Sequence, residues 1–81
     1  MTILSLPAVA RLAERRACEL GGMVRLDELL RWLDGAGVRP ERAQAGVQLA
    51  TVIGRLEGAA DDAGEPCLRA PRLARARQEA A

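Results

Sequence analysis

Eighty-one residues are enough for one domain with one core, and a chain of this length buries only about 60 to 65% of the surface its unfolded form exposes, so its stability is thin. With 12 basic against 11 acidic groups the net charge is +1, which excludes a strong overall attraction to nucleic acid or to a membrane surface. The absence of His, Phe and Tyr removes the commonest acid–base catalyst and leaves the core to Leu, Val, Ile and Ala, which favours packed helices.

Along the chain, the opening MTILSLPAVA is apolar but lacks a basic leader and is interrupted at Pro7. No run reaches the ~18 residues of a membrane span, which predicts a soluble, cytoplasmic protein without membrane association. Pro7 suits an early helical position, where its missing N–H would have no partner, and Ser5 is the capping candidate. Val9, Leu12, Ala13, Ala17 and Leu20 recur on one face of this first helix, and Gly21 and Gly22 end it. Met23, Val24 and Arg25 form a brief β-step. Asp27 is then the expected cap of a second helix whose Leu26, Leu29, Leu30 and Leu33 make one apolar stripe, stopped by Gly35 and Gly37. Trp32 lies off that stripe, so it covers a neighbouring element or faces a partner.

Pro40 and Glu41 open a third helix expected to run to Leu56 or Glu57. Gly46, Ala50, Gly54 and Gly58 recur every four residues in it and leave one side almost without side chains. Interior glycines cost about 1 kcal/mol each relative to alanine, so a physical reason is required. Close approach of another backbone, from the first helix or from a second subunit, is the leading explanation. A break at Gly46 or Gly54 and a bare docking face are the alternatives. From Gly58 the chain reads as a loop or short hairpin with Ala63 and Gly64 near its tip, although its arms are poor strand formers. The expected organisation is a single small helical domain over residues 1–71, followed by an arginine-rich tail or short helix over 72–81.

Cys18 and Cys67 have no CxxC spacing and no neighbouring base, so they read as buried apolar residues of a reducing compartment. Asp61, Asp62 and Glu65 match no calcium loop. Neither a G-x-S-x-G elbow nor a phosphate loop is present, and the reading is a non-enzymatic protein with no cofactor, no metal and no small-molecule substrate.

The order of elements, with the phrase G-x-V-x-L-x-E-L-L-x-x-L over Gly22 to Leu33, resembles the winged-helix branch of helix-turn-helix proteins. The resemblance covers residues 7 to about 71. It implies a mainly α fold with a three-helix helix-turn-helix-like core, a β-step near 23–25 and a small wing or loop at 58–71. It also implies that the third helix enters the major groove of double-stranded DNA, with Arg42, Gln44, Gln48, Thr51 and Arg55 toward bases or phosphates. On this reading, replacing Arg42 and Arg55 with alanine weakens binding without altering the fold. Arg69, Arg72, Arg75 and Arg77 form a local basic run suited to phosphates or to an acidic protein surface.

A second reading stays open: a compact helical adaptor or inhibitor that covers a partner protein, with Trp32 and the Gly46, Ala50, Gly54 face at the interface. That same face is the expected contact if the chain forms a homodimer.

Overall fold

The computed structural model describes residues 3–71. Its elements are α1 (Leu6–Glu19), β1 (Met23–Arg25), α2 (Leu26–Gly35), α3 (Pro40–Val52), β2 (Glu57–Ala60) and β3 (Pro66–Arg69). Three helices pack beside a three-stranded antiparallel sheet of order β1-β3-β2.

Ser5 caps α1, its hydroxyl accepting from the Ala8 N–H at 3.3 Å. The buried face is Val9, Ala10, Ala13 and Ala17, while Leu20 falls past the helix end and is exposed. Asp27 does not cap α2. The helix starts one residue before it, and the Asp27 carboxylate instead accepts from the Glu28 N–H at 2.9 Å in the first turn, where the helix dipole favours negative charge. Of the leucine stripe, Leu29 and Leu33 are fully buried, and Leu26 and Leu30 lie at its margin. The link to α3 is short: Gly35 still belongs to α2, leaving residues 36–39, and Val38 is buried with its N–H bonded to the Leu33 carbonyl at 3.0 Å.

The third helix ends at Val52, earlier than the sequence pattern suggests, for a backbone reason. Gly54 takes φ +81°, which side-chain-bearing residues rarely adopt, and the N–H groups of Arg55 and Leu56 turn back onto the Ala50 carbonyl. This turn drives Leu56 into the core, 1% exposed, and leaves Val52 and Ile53 in solvent. Gly54 and Gly58 are therefore outside α3, and the four-residue spacing of small residues is real only at Gly46 and Ala50.

Those two explain how α3 docks. A Cβ at position 46 would fall 2.7 Å from Val9 Cβ and closer still to Val9 Cγ1. The partner of the bare side is α1 of the same chain.

The hairpin forms despite the weak strand propensity of Glu-Gly-Ala-Ala and Pro-Cys-Leu-Arg. Val24, Leu68 and Ala70 join the helices in one core, and β3 pairs on both sides, Leu68 lying opposite Val24 and Gly58. Asp61 makes the turn: its carboxylate accepts from the N–H groups of Ala63 and Glu65, each at 2.9 Å, and Gly64 takes φ +80°. Ala70 then donates to the Gly22 carbonyl at 2.8 Å, tying the end of the sheet to the end of α1.

Candidate nucleic-acid interface

The side of α3 turned away from α1 carries Glu41, Gln44, Gln48 and Val52, spaced by three, four and four residues and all exposed. Helical geometry puts them in one row about 16 Å long. Thr51 lies beside the row with its hydroxyl donating to the Gln48 carbonyl at 2.6 Å. The hairpin β2–β3 follows α3 directly, and its tip is acidic.

The structure separates the sequence-predicted arginines from the predicted glutamines. Arg42 donates to the Leu4 carbonyl, in a groove of about 530 Å³ between the N-terminal residues and the α2–α3 turn. Arg55 lies beyond α3 and meets Glu14 of α1 at 2.9 Å, with both side chains largely buried. It clamps the α3 exit to α1, so its loss would take the partner from a carboxylate only 14% exposed, and a cost in stability is expected beside any effect on binding. Arg69 pairs across the strands with Glu57. Arg72, Arg75 and Arg77 lie outside the described residues.

The three interface candidates besides Trp32 are also sorted by the fold. Gly46 is covered by Val9 of α1 and Ala50 is fully buried, so neither is open to a second copy; Gly54 is an exposed turn residue. Trp32 packs partly buried against the core, and the Arg16 guanidinium sits over its ring, 5.1 Å from the centroid. That placement is a cation–π contact, the guanidinium charge lying over the ring face.

Charge is distributed unevenly. Residues 3–71 hold nine arginines against ten acids, and the last ten residues hold three arginines against one acid, so the positive excess lies in the C-terminal segment. Within the described residues Arg15, Arg16, Arg25, Arg31, Arg55 and Arg69 are ion-paired. Arg11, Arg39 and Arg42 have no ion pair among the described residues. Arg39 immediately precedes α3 and is exposed.

Sequence reasoning passed over Arg39, Glu41 and Val52. The spacing of Glu41 and Val52 with Gln44 and Gln48 was available, but an apolar valine within a helix expected to run to Leu56 reads as core, and the early end of α3 leaves it 76% exposed.

Burial pushes the Cys18 thiol up from its ordinary value, with a smaller push from the Glu14 carboxylate. Burial also raises the Cys67 thiol, assisted by Asp61. Neither is poised as a nucleophile. No helix of the described residues is long and apolar enough to cross a membrane. No protein-family model, curated protein or solved structure matches the chain.

Proposed function

We propose that this chain is a small, non-enzymatic DNA-binding regulator of winged-helix-like design, with α3 as the element that enters the major groove. The observation that carries the reading is the uncovered row of polar Glu41, Gln44 and Gln48 continued by Val52, on the one helix that sits between a short four-residue link and a β-hairpin. The strand order β1-β3-β2 supports it, because this pairing lets a hairpin follow α3 and return to β1. Affinity for phosphates rests on Arg39 and on Arg72, Arg75 and Arg77, since the remainder of the domain has no positive excess. Three to four such contacts give binding that weakens about 40- to 150-fold between 50 and 200 mM salt.

Fluorescence anisotropy of a labelled mixed-sequence duplex, titrated at both salt concentrations, tests the proposal. Salt-sensitive binding that is reduced when Arg72, Arg75 and Arg77 are replaced together by alanine supports it. An absence of binding at 50 mM salt refutes it.

One observation favours a second reading, capture of a partner protein or a second copy. Val52 and Ile53 stand adjacent at the α3 exit, 76% and 52% exposed. If this pair is the contact, the double substitution Val52→Asp, Ile53→Asp abolishes capture or self-association with the melting temperature retained, and DNA binding is absent from the parent.

A further inference from the structure

We infer that α3 selects A·T base pairs in the major groove, with Gln44 and Gln48 as the side chains that recognise adenine and Val52 as the contact for a thymine methyl. The inference rests on the DNA-binding reading and names what that site takes. Its basis is the sorting of side chains by the fold. A guanidinium fork is the usual reader of guanine, matching the O6 and N7 acceptors with two donors. Of the three forks near α3, Arg42 is engaged on the Leu4 carbonyl and Arg55 on the Glu14 carboxylate, and Arg39 precedes the helix, outside the outward row.

What the outward row retains is different chemistry. A glutamine amide offers one donor and one acceptor side by side, which complements adenine N7 and the N6 amino group. Gln44 and Gln48 are one helical turn apart, about 6 Å along the axis, which is close to two base steps of 3.4 Å. Val52, the next residue on the same row and 76% exposed, presents two methyl groups and no polar atom. In the major groove the apolar group it can meet is the thymine C5-methyl. Glu41, at the start of the row, is an acceptor that complements the cytosine amino group of a C·G pair, so the A·T preference belongs to the stretch Gln44, Gln48, Val52 alone.

The test compares two duplexes of equal length and identical flanks, one with a central A·T block and one with a central G·C block, in a competition anisotropy assay at 50 mM salt. The expected result is a preference for the A·T duplex of tenfold or more. Replacing the adenines of that block by 7-deazaadenine removes the N7 acceptor from the major groove only, and is expected to cost about as much. The variant carrying Gln44→Ala and Gln48→Ala, both at exposed helix positions, is expected to retain its melting temperature but to bind the A·T duplex nearly as weakly as the G·C duplex, so that the preference falls below twofold.

Equal binding of both duplexes, with the salt dependence intact, overturns this inference and leaves the DNA-binding reading standing. An A·T preference that 7-deazaadenine and the double variant leave unchanged also overturns it, because the preference then arises from duplex shape or the minor groove. Failure to bind either duplex overturns both.

Discussion

Substituting alanine for Gly46 adds one methyl group at the point where α1 and α3 approach most closely. The added Cβ would lie 2.7 Å from Val9 Cβ, whereas carbon atoms in contact sit at about 3.5–4.0 Å, so the shortfall is about 1 Å. Rotating the Val9 side chain moves Cγ1 but not Cβ, which the backbone places, and Val9 is fully buried, so the helices must separate. Overpacking of this kind costs about 1–3 kcal/mol, and a shift across the largest helix interface of the domain belongs at the upper end. Alanine returns about 1 kcal/mol of helix propensity. The net loss is about 1–2 kcal/mol, which in a domain of this size lowers the melting temperature by roughly 5–15 °C. Thermal and urea unfolding followed by circular dichroism measure it, with the urea midpoint falling at constant slope. Adding Val9→Ala removes the Cγ1 contact but keeps the 2.7 Å Cβ–Cβ approach, so the double variant recovers only a fraction of the two single losses together. A Gly46→Ala protein that melts at or above the parent temperature would refute the close approach, since propensity alone would then be operating.

Three further outcomes follow from other contacts. Arg55→Ala strips the partner from Glu14, a carboxylate only 14% exposed, and lowers stability by about 1–3 kcal/mol. Combining it with Glu14→Gln restores part of that loss, and a melting point within 2 °C of the parent for Arg55→Ala would show that the pair contributes nothing. Trp32→Ala destabilises by about 2–4 kcal/mol because the ring packs on the core beneath Arg16, measured as a loss in urea midpoint; an unchanged midpoint would return Trp32 to the surface. Because both thiols are raised in the folded protein, the unfolded chain ionises first, so their contribution to stability is complete below about pH 9 and is lost as the pH rises through the higher folded values. Stability measured from pH 7 to 10 therefore declines at the alkaline end, and a Cys18→Ala, Cys67→Ala protein shows a shallower decline. Alkylation of native Cys67 as fast as in denatured protein at pH 7.5 would contradict its burial.

Much of the local structure was legible in the residues. The Pro7 and Pro40 helix starts, the Ser5 cap, the β-step at Met23–Arg25 and the paired Leu29 and Leu33 all follow from short-range rules, since each depends on neighbours within about one helical turn. The hairpin was less legible because its arms have little strand propensity, and what forms it is the Asp61 turn together with burial of Leu68 between β1 and β2. The candidate site was legible in part. Gln44 and Gln48 were identifiable as polar positions on α3, but the arginines beside them carried no mark of their commitment, because Leu4 and Glu14 lie 38 and 41 residues away in the chain.

The sequence by itself determined that this chain is mainly helical and of near-neutral charge, because composition and hydrophobic period are local or summed properties. It also determined that Gly46 needs a structural reason, because a glycine in a helix interior has a known cost. The tertiary structure alone decided that the reason is Val9, that Gly54 ends α3, and which side of that helix faces water. Those outcomes depend on which surfaces meet after the chain has folded, and a residue's distant neighbours are set by packing rather than by its place in the sequence.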